Sequence, residues 1–504
     1  MREAIKVFFS RYIYVNNVCT MKKQVLTFCM IFMSALFVAC NEDAGFSSSP
    51  SLLLEFSTDT VSFDTLFTDR VSPSAMFVAR NKNKNSLRIS DVRLASGGTS
   101  GFNVLVDGQY GSVMRDLEVR AKDSLFVVAS VKLDKNGLDI PHQVKDSLLF
   151  TLESGVVQKV MLIAHGRDVV FMYGDSILSD TTFTAGHYVV YDSLTVAQNA
   201  VLNIDKGATF YFHDNAFLRV KGVLNIKGDY GAPVVFRNDR TDNLFSYLPY
   251  DRVPGKWGGV VIDSTSNGNV LEHCDIHGAQ YGIVVERGDT TVQRLAIKSS
   301  SLQNFAGNAL ELNAAHVSVE NTLIANAQGN CVKVVGGNVS FVHCTIANFY
   351  VWKQRDVALA LHNNLEGEPV PLYGASFRNC IITGTKEDEL MGYFTAFGDT
   401  VPNSVNYFFE NSLINTIDTQ DSCFVNVVYE NSEESPFAKE HFVKIDNEVF
   451  DYDFHLTEES TARGIAAGEL VGSYPYDLDG VVRESGGADA GCYQYVGLEN
   501  KEGE

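Results

Sequence analysis

Between residues 271 and 414 one short pattern recurs six times, and no other feature of the chain restricts its fold as much. The copies are Leu271-Glu272-His273-Cys274-Asp275-Ile276, Ile297-Lys298-Ser299-Ser300-Ser301-Leu302, Val319-Glu320-Asn321-Thr322-Leu323-Ile324, Phe341-Val342-His343-Cys344-Thr345-Ile346, Phe377-Arg378-Asn379-Cys380-Ile381-Ile382 and Phe409-Glu410-Asn411-Ser412-Leu413-Ile414. Their closing apolar residues lie 26, 22, 22, 36 and 32 positions apart. A period near 22 built from short β runs matches one turn of a three-sided parallel β-helix, the longer intervals being turns with inserted loops. Each turn buries only one face, so it holds only when stacked on neighbours about 4.8 Å away, which lines up equivalent residues as ladders.

Cys274, Ser300, Thr322, Cys344, Cys380 and Ser412 should face inward, small because a tight corner leaves little volume. His273, Ser299, Asn321, His343, Asn379 and Asn411 should occupy the bend beside them. Such a column reads as a turn whose side chains satisfy backbone groups and one another, in preference to a metal or catalytic site. The outward positions Asp275, Ser301, Leu323, Thr345, Ile381 and Leu413 become progressively apolar and offer no ladder of carboxylates. Cys344 and Cys380 fall on adjacent turns, but parallel stacking disfavours disulfide geometry, so free thiols are expected.

Upstream, Val201-Leu202-Asn203-Ile204, Lys206-Gly207-Ala208-Thr209-Phe210, Leu218-Arg219-Val220-Lys221-Gly222-Val223-Leu224, Pro233-Val234-Val235-Phe236, Trp257-Gly258-Gly259-Val260 and Tyr281-Gly282-Ile283-Val284 continue the alternation. These segments resemble the opening turns of right-handed parallel β-helix proteins of the bacterial cell surface, over roughly residues 185–425. The resemblance implies a right-handed solenoid with Gly207, Gly222, Gly258, Gly259 and Gly282 at sharp corners. Asp453-Phe454-His455-Leu456, Asp477-Leu478-Asp479-Gly480-Val481-Val482-Arg483 and Asp489-Ala490-Gly491-Cys492-Tyr493 resemble the closing segment of such proteins. Asp479 and Arg483 are expected to pair and tie that cap down.

Ahead of the repeat, alternating runs at residues 52–56, 76–80, 87–94, 102–106, 124–133, 147–153 and 158–164 are separated by Asn, Asp, Gly and Lys clusters. Seven such strands predict an antiparallel β-sandwich of immunoglobulin type. Val61-Ser62-Phe63-Asp64, Arg80-Asn81-Lys82-Asn83, Gly101-Phe102-Asn103-Val104 and Leu162-Ile163-Ala164-His165-Gly166-Arg167 resemble bacterial Ig-like domains related to the ASH family, in which the Asn after the second strand starts a turn. His142 and His165 stand alone and read as solvated or turn residues.

The N-terminus reads as an address. Met21-Lys22-Lys23-Gln24 is followed by an apolar stretch to Ala39, then Cys40, which is the layout of a secretory signal too short to span a membrane comfortably. Phe37-Val38-Ala39-Cys40 resembles the lipobox of bacterial lipoproteins, which implies lipidation at Cys40; an ordinary signal peptide or an anchor helix is the alternative. Asn41-Glu42-Asp43 resembles the surface-export signal of Bacteroidota lipoproteins, which implies an outer-membrane lipoprotein at the cell surface, with the periplasmic face as the other orientation. Met21 is the better start, residues 1–20 reading as an over-extended gene model. The expected layout is therefore a leader (1–39), a polar tether (40–51), an Ig-like β-sandwich (52–170), a right-handed parallel β-helix with a C-terminal cap (171–497) and a polar tail (498–504).

Charge narrows the partners. The chain has 61 acidic against 40 basic residues, and the excess grows to −25 once the leader is set aside, so a phosphate backbone is repelled and nucleic acid is an unexpected partner. The six cysteines beyond residue 40 have no CxxC spacing, so neither a disulfide framework nor a zinc site is expected, and calcium has no support.

Chemistry, if present, should sit on inserted loops. Tyr350, Trp352, Lys353, Arg355 and His362 precede the loop Asn363-Asn364-Leu365-Glu366-Gly367-Glu368-Pro369, and Tyr373 closes the insertion. Tyr350, Trp352, Arg355 and Tyr373 are candidates to stack on sugar rings or grip a partner; packing of Trp352 on its own loop is the plainer alternative. Phe245, Tyr247, Tyr250, Arg252 and Trp257 pose the same choice and favour packing. Arg355 and His362 are the only catalytic candidates, because polysaccharide lyases and hydrolases on this architecture need a base or converging carboxylates. The expected function is a lipid-anchored envelope protein, non-enzymatic, binding a glycan or a protein; a carbohydrate-active lyase or hydrolase, or a structural subunit of an envelope complex, are the alternatives.

Overall fold

Alternating apolar side chains drive the chain into strands with almost no helix among the described residues. The structure is a computed structural model that describes residues 45–137, 140–396, 404–430, 438–484 and 486–497. The leader, Cys40 and the tail from 498 lie outside these residues. No helix among the described residues is long and apolar enough to cross a membrane. The chain divides into two compact units, the first holding residues up to Phe63, Asp69–Asp134 and Gln143–Gly166, the second Asp64–Thr68, Lys135–His142 and everything from Arg167 on.

The first unit contains two five-stranded sheets, mainly antiparallel; Thr60–Phe67 runs parallel to Val157–Arg167, with Met161 N–H donating to the carbonyl of Asp59 and Thr68 N–H to that of Arg167. One orders Glu55–Phe56, Ala75–Arg80, Ser124–Val131, Phe102–Val106 and Gln109–Gly111; the other orders Thr60–Phe67, Val157–Arg167, His142–Leu152, Leu87–Leu94 and Val113–Val119. Rings meet between the inner faces, Phe56 on Phe150 at 4.8 Å and Phe63 on Phe102 at 5.9 Å. Seven runs are legible in the sequence; Thr60–Phe67, Gln109–Gly111 and Val113–Val119 are not among them, the last because its buried residues Met114 and Leu117 are three apart and break the period of two. Its partner Leu87–Leu94 changes phase at the same level, between Ile89 and Val92, and Asp116 between the two buried residues has φ of 55°. Asn81 starts the expected turn: its amide donates to the carbonyls of Asn85, Val119 and Arg120 at 2.8–3.1 Å.

The second unit is a long parallel sheet wound as a solenoid, each strand pairing with the equivalent strand one coil on. Register sets the interior columns. One runs Ile226, Leu271, Ile297, Val319, Phe341, Phe377, Phe409 and Phe424; a second runs Phe236, Ile276, Leu302, Ile324, Ile346, Ile382 and Ile414. The last four rings of the first column stack at 4.7–5.0 Å with planes 11–18° apart. Trp257 is buried on Phe212 at 4.4 Å.

The bend ladder is left-handed at every position, with φ of 44–54° from His273 to Asn411, and Asn426 extends it by a coil. Asn tolerates this region better than most residues, which accounts for its frequency there. The inward ladder is small for a reason beyond volume. Ser300, Thr322 and Ser412 donate to the carbonyl two residues back at 2.7–2.9 Å and accept from the backbone N–H one coil earlier at 3.0–3.4 Å. Cys344 and Cys380 donate to Val342 and Arg378 in the same way, and all six described cysteines are free. A hydroxyl or thiol thus replaces the partner that the corner takes from the sheet.

The C-terminal segment lies along the solenoid's flank. Its hairpin, Phe442–Asp446 with Asp451–Leu456, joins Ala490 and Cys492 in covering Leu323, Ile381 and Leu413, so the outward row turns apolar where the cap rests on it. The expected Asp479–Arg483 pair does not form. Arg483 is buried and donates to Asn321 Oδ1 at 2.7 Å and to the carbonyls of Gly491 and Asp489, whereas Asp479 accepts from His455 at 2.8 Å. Two residues on opposite sides of a tight turn pair with what the turn docks against, not with each other.

Candidate functional site

Strand alternation sends Cys274 and Ile276 inward and Asp275 and His277 outward on Cys274–His277. One coil on, Ser301 and Gln303 occupy the same outward places by register. On the following coil those places become Leu323 and Ala325, both buried, and the cap begins there. The polar pairs therefore lie on an open shelf. On one side are loop residues 229–233 and 251–252; on the other are cap residues 450–452, 478–479 and 493.

Two depressions form the shelf and meet at Asp275. The larger, about 460 Å³, is lined by Asp229, Tyr230, His273, Ser301, Asp479 and Tyr493 among others. The smaller, about 210 Å³, is lined by Asp251, Arg252, His277, Gln303, Phe450 and Tyr452. Tyr230 is 43% exposed, stands edge-on to His273 at 4.4 Å and abuts Gly480, where a Cβ would come within 3.3 Å of the ring.

Two histidines are each held between two carboxylates. His277 reaches Asp251 with Nε2 at 2.8 Å and Asp275 with Nδ1 at 3.0 Å. Burial alone would lower its pKa, but the charge of Asp275 and the hydrogen bonds to Asp251 and Asp275 raise it to about 10. Asp251, also 2.9 Å from Arg237, is held below the usual carboxylate range: its burial is outweighed by the hydrogen bond and charge of His277. On the cap, His455 reaches Asp453 at 2.5 Å and Asp479 at 2.8 Å, and its ring stacks on Tyr493 at 4.1 Å. Burial opposes its protonation as well, and the bonds to Asp479 and Asp453 prevail and raise its pKa.

The sequence-derived candidates lie elsewhere. Arg355 is internal: it forms a two-pronged ion pair with Glu389, 2.5 Å and 3.0 Å, and also binds Thr385 and the carbonyl of Asp356. It cannot meet a substrate there, which corrects both its catalytic and its binding assignment. Tyr350 is buried. Trp352 packs on Phe450 of the cap at 4.3 Å rather than on its own loop, bracing from behind a residue that lines the smaller depression. His362 stacks on Tyr393 at 4.6 Å, and burial lowers its pKa. Tyr373 is 53% exposed. These five side chains do not share one set of partners.

Ser460, His441 and Glu430 imitate a nucleophilic triad, with 3.2 Å and 3.4 Å steps, but all three are buried and Thr383 donates to Glu430 at 2.6 Å. They brace the cap root. Among the described residues no group of three or more His, Cys, Asp or Glu is arranged to hold a metal ion.

The shelf residues escape sequence reading because Asp251, Asp275 and Asp479 are brought together from three distant segments. The outward pairs Asp275/His277 and Ser301/Gln303, polar just before the row turns apolar, were the available signal.

No family model matches this sequence, and no curated protein matches it. A solved protein of unknown function from Porphyromonas gingivalis aligns at 12% identity and TM-score 0.18 over 25% of this chain and 50% of its own, so the chain spans about half that protein's length. The ASH/PapD-like domain of human CEP192 (PapD-like domain 7) aligns at 12% identity and TM-score 0.17 over 24% of this chain and 89% of its own. At these scores neither likeness identifies a fold or a function.

Proposed function

We propose that this chain is a lipid-anchored bacterial envelope protein whose solenoid carries a non-catalytic binding surface at the shelf around Asp275. The observation that carries the non-catalytic part is the state of the two histidines. Each has both ring nitrogens committed to carboxylates and a raised pKa, so neither offers a free nitrogen to take a proton from a substrate near neutral pH. Asp251 is held ionised and cannot serve as a general acid.

In this reading Cys40 carries the lipid, the first unit is an immunoglobulin-like spacer and the solenoid is right-handed. The hand is supported by the strong preference of parallel crossover connections, and the immunoglobulin type by two mainly antiparallel sheets facing one aromatic core. The Bacteroidota-type surface location rests on Asn41-Glu42-Asp43.

The test is to incubate the full chain with a panel of polysaccharides and assay retention, new reducing ends and new ultraviolet absorbance together. Retention without products is expected. Products that disappear in Asp275→Asn would make the shelf an active site and overturn the reading.

A further inference from the structure

The chain is strongly acidic, yet the carboxylates of the shelf walls are matched by cations. Asp229 is 2.7 Å from Lys206, and Asp451 is 2.5 Å from Lys444 and 2.9 Å from Arg252. Asp251 and Asp275 share His277, with Arg237 also on Asp251, and Asp479 holds His455. Arg252, the guanidinium in the smaller depression, is thereby committed to Asp451.

That pairing restricts the ligand. A uronate or sulfated chain would meet carboxylates and no uncommitted cation, a like-charge contact that costs affinity. An ammonium-bearing chain would meet carboxylates already neutralised. The walls offer instead carboxylate oxygens pinned in position, the hydroxyl of Ser301, which accepts from Gln303 at 2.8 Å, and the exposed ring of Tyr230. Fixed acceptors bind hydroxyl groups strongly, and a phenol ring covers the C–H face of a sugar. The 460 Å³ depression is within the range of about 300–1,000 Å³ that small ligands fill, and its continuation past Asp275 suits an extended chain.

We propose that the shelf binds a neutral, hydroxyl-rich saccharide chain, one sugar ring lying over Tyr230 and hydroxyl groups bonded to Asp275 and Asp479. The proposal rests on the binding reading above and names its ligand class. It predicts affinity that does not fall with salt, because no net charge is neutralised on binding.

The experiment is affinity electrophoresis of the full chain in gels containing a neutral glucan, a neutral mannan, polygalacturonate or chitosan, at low and high salt. Tyr230→Ala, Gln303→Ala and, as control, Tyr110→Ala on the first unit are run beside the parent, each with a melting curve. Expected are retardation by a neutral polymer at both salts, a loss of roughly tenfold in affinity for Tyr230→Ala, a smaller loss for Gln303→Ala, and none for Tyr110→Ala. Salt-sensitive retardation by polygalacturonate or chitosan that Tyr230→Ala removes would overturn the ligand class and leave the binding reading standing. Retardation that survives both shelf variants would overturn the site. Cleavage of the polymer would overturn the non-catalytic reading, and no retardation by any polymer would overturn the saccharide proposal.

Discussion

Arg483 donates to Asn321 Oδ1 at 2.7 Å across 162 residues of sequence, and this bond helps to join the cap to the bend ladder of the solenoid. Asn321 is left-handed at φ 51°, and both Asn321 and Arg483 are buried. The ladder therefore does two things: it turns the chain, and it presents amide groups on which the cap docks. Asn379 accepts from Ala467 N–H at 2.8 Å, and Asn411 donates to the carbonyl of Ile465 at 2.9 Å.

Asn321→Gly keeps the left-handed backbone and deletes the acceptor, together with the amide's weaker donation to Ser299 Oγ at 3.2 Å. It should cost about 2–3 kcal/mol, the penalty for stranding a buried charged donor. Urea unfolding of the parent and the variant measures it; equal midpoints would show that the bond does not hold the cap.

Arg355→Ala should act on stability, because it leaves Glu389, fully buried, without its ion pair. The expected cost is about 3–5 kcal/mol, and Arg355→Met combined with Glu389→Met should recover much of it. Circular-dichroism melts decide; an Arg355→Ala protein of parental stability would contradict the internal placement.

His343 gives an acid-side prediction. Burial, with the charge of Arg483 adding to it, pushes its pKa down to about 3 from an ordinary 6.5, and Asn379 donates to its Nε2 at 3.0 Å. Below pH 6.5 the unfolded chain binds a proton that the folded chain refuses, so stability should fall between about pH 6.5 and 3, by up to about tenfold in the folding constant per pH unit. His343→Asn, which repeats the residue of neighbouring coils, should flatten that slope in urea titrations at stepped pH. An unchanged slope would assign the acid sensitivity to other groups.

His277 gives the opposite sign. With its pKa raised to about 10, its bound proton stabilises the fold fully below 6.5, and that contribution is lost as pH rises toward 10. Imidazole resonances followed by NMR should show His277 still protonated at pH 8, when an ordinary histidine is neutral. A midpoint near 6.5 would remove the argument that this ring is spent as a base.

The solenoid was legible because stacking repeats the same demand coil after coil, so Ile276, Leu302 and Ile324 record one environment three times. Asn426 was missed for the complementary reason: its coil is short, with strands Phe424–Val425 and Val428–Tyr429 of two residues each, too little for a period to register. Arg355 looked like surface because a charged residue in an insertion usually is, and Trp352 read most plainly as packing on its own loop. Glu389, 34 residues on, and Phe450, in the cap, are what bury them or pack on them.

The sequence by itself determined most of the strands, the coil period and the bend ladder from His273 to Asn411, since each follows from local alternation and from the backbone each residue tolerates. Only the tertiary structure decided where the cap lies, which polar outward pairs it leaves open, and that Asp251, Asp275 and Asp479 line one shelf. Those relations join segments that share no local pattern; they arise because the apolar row from Leu323 to Leu413 must be covered, and the chain end that covers it stops short of Ser301.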